Sequence, residues 1–179
     1  ESQMTLYAAT KKANESMAHS YAHLWDLQFI GTDINPLFLQ CAQAGVYRSW
    51  SFRQSDTRWR DRYCRKDSSG EYHILPVLRR GVSFFPLNLT EAVYPDALRR
   101  LADCDLILCR NVLMYLKPQQ ASAVIQRLQQ CLAVQGVLLL APAEAILCQA
   151  AGVRGRNWPD AVALPRDNTE LQHGTPTLF

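Results

Sequence analysis

Short apolar runs alternate along this chain with amphipathic stretches of helical period, and that alternation predicts strands that feed helices. Thr5–Ala9 and Leu27–Thr32 read as strands, with Asn14–Leu24 and Pro36–Ala44 as the helices after them, a βαβ pattern. After Gly45 the period breaks. A segment rich in arginine and aromatics, a turn at Asp67-Ser68-Ser69-Gly70 and strand candidates at Tyr72–Leu75 and Val82–Phe85 suggest an inserted β subdomain, at about residues 47–81. Leu106–Cys109 resumes the strands. Pro118 opens a helix whose Ala121, Val124, Ile125, Leu128, Cys131 and Leu132 share one face. Gly136 then releases the chain into Val137–Ala141, an apolar run expected of a strand covered on both faces. A helix over about 143–151 and strand candidates at Ala161–Leu164 and Thr175–Phe179 complete the pattern.

Two strands end on chemistry. Phe29-Ile30-Gly31-Thr32-Asp33 terminates in a carboxylate that can accept hydrogen bonds from a ribose diol, and Leu106–Cys109 runs into Arg110-Asn111, with Tyr115 four residues on. In open α/β sheets ligands bind beyond the carboxyl ends of the strands, so these side chains are expected to face a nucleoside cofactor. Asp33 has a competing role as N-cap ahead of Pro36, and Asn88 has one as a turn residue.

The motifs Gly31-Thr32-Asp33-Ile34-Asn35, Pro86-Leu87-Asn88-Leu89 and Cys109-Arg110-Asn111-Val112-Leu113-Met114-Tyr115 occur in this order, from a chain matched between about Thr5 and Phe179. They resemble the chemotaxis-receptor glutamate methyltransferases, the CheR family, which use S-adenosylmethionine (SAM). The resemblance implies a Rossmann-like α/β fold of the class I SAM-dependent methyltransferases. It would have a seven-stranded sheet and a small inserted antiparallel β subdomain, which some members use to dock onto receptors. It further implies that Asp33 holds the ribose hydroxyls, Asn88 and Leu89 flank the adenine, Asn111 lines the cofactor channel and Tyr115 faces the methyl group.

The family's first strand leads into Gly-x-x-x-Gly-Glu-Glu. Here that turn reads Thr10-Lys11-Lys12-Ala13-Asn14-Glu15-Ser16, in which both glycines are gone and only Glu15 of the acidic pair is kept. At about 1–2 kcal/mol for each non-glycine residue held left-handed, binding of SAM, or of S-adenosylhomocysteine (SAH), is expected to be weakened by about one to two orders of magnitude or lost. Lys11 and Lys12 would repel a sulfonium, pair with the cofactor's carboxylate, suit another anionic ligand or simply face solvent. The family's Gly-His-Ser-Glu-Ser becomes Ala141-Pro142-Ala143-Glu144-Ala145, keeping only the glutamate. The family's preceding helical domain, which supplies an arginine, is expected to be absent from this chain, leaving either a divergent methyltransferase domain or a noncatalytic interaction module.

Composition narrows the rest. With 48% hydrophobic and 20% charged residues in 179, the chain suits one soluble domain. No run approaches the roughly 18 apolar residues that span a bilayer, and no secretory signal is visible, so a cytoplasmic home without membrane insertion is expected. Cys41, Cys64, Cys104, Cys109, Cys131 and Cys148 lack a Cys-x-x-Cys pair and are expected as buried free thiols. His19 and His23, four apart, lack a third ligand, so no metal site is expected. The net charge of +3 is too small to argue for nucleic acid, which stays the lesser alternative as a partner, but Arg48, Arg53, Arg58, Arg60, Arg62, Arg65 and Lys66 face only Asp56 and Asp61. Interleaved with Trp50, Phe52, Trp59 and Tyr63, they form either a solvated helix face or a contact, through Arg58 and Arg62, for an acidic helical signalling protein of the chemoreceptor kind.

Overall fold

The computed structural model describes residues 28–53, 57–96, 101–158 and 160–167. The predicted elements at Thr5–Ala9, Asn14–Leu24 and Thr175–Phe179, with Glu15, His19 and His23, lie outside the described residues. The chain divides into two units, Glu1–Asn88 and Leu89–Phe179.

In the first unit β1 (Phe29–Asp33) leads into helix α1 (Pro36–Ala44), as the sequence predicts. Pro36 occupies the first turn, where its missing N–H costs nothing, and Gly45 closes the helix at φ 65°, sending its N–H to the Cys41 and Ala42 carbonyls. Leu39 and Ala42 are the buried face. β5 (Val82–Pro86) pairs in parallel with β1, Gly31 lying opposite Phe84. It therefore belongs to the βαβ layer and not to the small antiparallel sheet, with which the sequence had grouped it.

That antiparallel sheet has the order β2 (Val46–Tyr47), β4 (Tyr72–Ile74), β3 (Cys64–Lys66), with helix α2 (Thr57–Tyr63) ahead of β3. Tyr72 and Ile74 are buried while His73 between them is exposed, the period of a sheet with one wet face. Their core is Tyr47, Phe52, Cys64, Tyr72, Ile74 and Leu78, with Phe52 edge-on to Tyr47 and Tyr72 at centroid distances of 6.3 and 5.3 Å. The hairpin turn is organised by Asp67, whose carboxylate accepts from Ser69 N, Ser69 Oγ and Glu71 N and lies 2.7 Å from His73 Nε2.

The second unit holds a mixed sheet in the order β6 (Cys104–Cys109), β7 (Leu132–Leu140), β9 (Ala161–Pro165), β8 (Arg156–Trp158). Only β6 and β7 are parallel. Helix α3 (Pro118–Gln130) buries Ala121, Val124, Ile125 and Leu128 as predicted, and also Gln129, whose amide donates to the Pro165 carbonyl at 2.7 Å. A 3-10 turn (Pro142–Glu144) and helix α4 (Ala145–Ala150) follow β7.

Several expectations change. Gly136 lies inside β7 and not before it, where β6 and β7 slip register between Cys104/Leu132 and Leu106/Val137. A Cβ there would fall 2.5 Å from the Cys104 carbonyl oxygen, so glycine permits a close backbone approach at a bulge. β7 is buried at Leu132, Gly136, Leu138 and Leu140, alternate positions along its second half, while Val137 and Leu139 on the other face are only half covered. β8 was not foreseen: Arg156, Asn157 and Trp158 are all exposed and carry no apolar alternation. The described strands form three sheets, of two, three and four strands. Cys41 is exposed and Cys104 half-buried, while the other four cysteines are buried and all six thiols are free. Burial pushes the Cys64 and Cys131 thiols up to about 11. Among the described residues no cluster of histidine, cysteine and acidic side chains could hold a metal, and no helix is long and apolar enough to cross a membrane.

Replacing Gly136 by alanine should destabilise the chain by about 1–3 kcal/mol in urea denaturation, since backbone and not a flexible side chain fills the space. Asp67 has its pKa lowered from the ordinary carboxylate value, first by the Ser69 hydroxyl and then by His73. Its contribution is therefore present above the unfolded value of about 3.9 and is lost as pH falls below it. The stability gap between wild type and Asp67→Asn, measured across pH, should shrink on acidification through that range.

Candidate functional site

The carboxyl edge of the β1/β5 pair is built by short-range hydrogen bonds. Asp33 ends β1 opposite Pro86, and its carbonyl accepts from Leu87 N at 3.0 Å, which brings Asn88 to the same edge one residue later. Asn35, not Asp33, caps α1, its side-chain oxygen accepting from Leu37 N at 3.0 Å. The capping role entertained for Asp33 is thus taken by its neighbour. Asp33 Oδ1 instead accepts from Asn35 N at 2.8 Å. An ionised carboxylate offers about four acceptor positions, enough to serve more than one donor.

In the second unit β6 ends at the buried Cys109, and the chain turns at Asn111 with φ 58°, a left-handed conformation that asparagine tolerates better than most residues. What holds this turn is Glu144, which is 0% exposed. Its Oε1 accepts from Val112 N at 2.9 Å and Leu113 N at 2.8 Å. Its Oε2 accepts from Asn111 N at 3.1 Å and Ala141 N at 3.0 Å. Leu113, 0% exposed, then anchors a 3-10 turn (Leu113–Tyr115) that leaves Tyr115 66% exposed. Arg110 donates to the Asp160 carbonyl at 2.9 Å, while its buried Nε has no hydrogen-bond partner among the described residues.

Leu89 is held from below. Its carbonyl accepts from the Tyr94 hydroxyl at 2.7 Å, and Arg127 of α3 lies 5.1 Å from the Tyr94 ring centre while donating to the Glu91 and Thr90 carbonyls. Burial pushes the Tyr94 hydroxyl up to about 12, against the opposing pull of Arg127, so it remains a donor.

The structure thus places Asp33 and Asn88 on one edge of the first unit. Leu89, Asn111 and Tyr115 belong to the second, and Glu15 is not described. Arg58 and Arg62 are exposed on α2, with the Arg62 guanidinium 5.3 Å from the Tyr63 ring centre. Arg60 and Lys66 approach Tyr72 at 4.9 and 5.6 Å, and Arg53 covers Trp50 at 4.0 Å. Sequence reasoning left Glu144 without a role. The signal was a lone carboxylate retained among alanines after an apolar strand.

Each unit thus ends parallel strands of an α/β layer on polar groups, a carboxylate in the first and a tightly held amide turn in the second. The chain matches the family described as "CheR methyltransferase, SAM binding domain" over residues 7–154, and it belongs to that family. It is 32% identical over 122 residues to the "Probable biofilm formation methyltransferase WspC" of Pseudomonas aeruginosa, covering 68% of this chain and 28% of that protein. It is 31% identical over 116 residues to a "Chemotaxis protein methyltransferase" of Vibrio parahaemolyticus, covering 64% of this chain and 40% of that one. The chain therefore spans well under two thirds of these relatives. A solved structure described as "A Pericyclic Reaction enzyme" overlaps 76% of this chain and 35% of its own, with a TM-score of 0.43 and 16% identity.

Asn111→Ala should cost about 1–2 kcal/mol in urea denaturation, because alanine must be held left-handed without asparagine's local bonding, whereas Asn111→Gly should cost less.

Proposed function

We propose that this chain is a divergent SAM-binding domain for methylating glutamate side chains of a protein in a chemotaxis-type signalling system, its cofactor affinity reduced by the turn at Thr10–Ser16. The observation that carries the reading is the ordered set of strand-end residues, Asp33, Asn88, Leu89, Asn111 and Tyr115, within the family match. Asp33 would accept the ribose hydroxyls, Asn88 and Leu89 would bound the adenine, Asn111 would line the channel with its amide, and Glu15 would contact the methionyl part. Tyr115 would face the methyl group. SAM, when bound, supplies an electrophilic methyl group. The protein's part is orientation and exclusion of water, since a glutamate with an intrinsic pKa of about 4.3 is already ionised at neutral pH and needs no general base.

In this reading the residues at about 47–81 form an inserted subdomain of a seven-stranded α/β fold.

A second reading, a noncatalytic module that docks an acidic helical signalling protein, is favoured by the exposed Arg58 and Arg62 on α2. The two separate cleanly. Capture of a chemoreceptor-type acidic helical fragment that survives Asp33→Ala but is abolished by Arg58→Glu with Arg62→Glu supports the module; the reverse pattern supports the methyltransferase.

Isothermal titration with SAH should give a dissociation constant weaker than micromolar, and Asp33→Ala should weaken it further. Thr10→Gly with Asn14→Gly should tighten it by about ten- to a hundredfold, the converse of two left-handed penalties. Micromolar affinity in the unaltered chain would overturn the claim of impairment.

A further inference from the structure

We infer that Glu144 is the positioning residue of the site: through one buried carboxylate it sets the backbone of Asn111–Leu113, and thereby aims the Asn111 amide and the Tyr115 ring. Its cofactor arm rests on the SAM-binding reading above. The four bonds from Asn111, Val112, Leu113 and Ala141 fall two on each oxygen, which matches the acceptor capacity of an ionised carboxylate and leaves no place for a donor. A charge with 0% exposure survives only where such hydrogen bonds replace water, and here four backbone N–H groups do so.

The three successive N–H groups belong to a turn outside the strand and helix ladders, and Asn111 is one of only two non-glycine residues at positive φ among those described. A local sequence cannot hold that conformation by itself. Glu144 reaches it from 31 to 33 residues away, across the end of β7. Ala141 N ties the same carboxylate to the strand end, so the loop after β6 and the loop after β7 move as one piece. Such a role explains why the glutamate persists where its neighbours have become Ala141, Pro142, Ala143 and Ala145: the histidine and hydroxyls can go, but the acceptor for three loop amides cannot.

The test is residue-resolved amide hydrogen exchange with Glu144→Gln, which turns one acceptor oxygen into a donor facing two N–H groups. Exchange at Asn111, Val112, Leu113 and Ala141 should accelerate at least tenfold while the Leu138 and Leu140 amides of β7 stay slow. Equal acceleration across the unit, or none, would overturn the inference, the first by making Glu144 a general stabiliser. Should the variant fail to fold, the wild type decides: these loop amides must exchange as slowly as those of β6, and fast exchange sinks the idea. In parallel, SAH titration of Glu144→Gln should show at least a tenfold loss against Leu128→Ala, a comparably destabilised control in the last turn of α3. Equal affinities would refute the positioning role. If the unaltered chain binds no SAH at all, the cofactor reading fails by itself, and the exchange pattern still decides the part played by Glu144.

Discussion

A single carboxylate governs the second unit's working edge. Strand ends in α/β sheets are useful because the chain there is free of the ladder, but that freedom has to be taken back if side chains are to stay aimed. Glu144 does so by offering oxygen atoms to N–H groups that a turn leaves without partners, at the point where the backbone adopts a conformation unfavourable to most residues. The carboxylate is itself fixed by the 3-10 turn that follows β7, and that turn by the burial of Leu138, Leu140 and Ala141. Packing thus reaches the site through hydrogen bonds rather than through side chains that touch a ligand.

The first unit solves the same problem locally. Asp33, Asn35 and Pro36 are nearly consecutive, so strand end, cap and helix start are specified within a few residues, and Leu87 N adds the neighbouring strand. Apart from that strand pairing, the stiffening is local. The antiparallel sheet is different again: its core is aromatic, and the half-buried Arg53 and Arg60 lay their guanidinium groups against Trp50 and Tyr72.

Much of this was legible in the residues. α1 and α3 follow from proline at the first turn and a 3.6-residue apolar period, and β1 and β6 from apolar runs that stop at polar residues, because these signals are local. The three motifs likewise mark the family, whose match covers residues 7–154. What escaped was whatever depends on pairing. The strand sense of β5 is set by β1, the position of Gly136 by a bulge against β6, and β8 by hydrogen bonds to β9 with no pattern of its own. The role of Glu144 is the same kind of omission, since its partners are some thirty residues away.

Capping by Asn35 separates two duties that the sequence had seemed to assign to one residue. With the Asn35 side chain as the cap, a change at position 33 leaves the acceptor of the Leu37 N–H in place and touches the helix start only through the Asn35 amide, whereas a change at position 35 strips the first turn of its acceptor and would register as lower protein abundance.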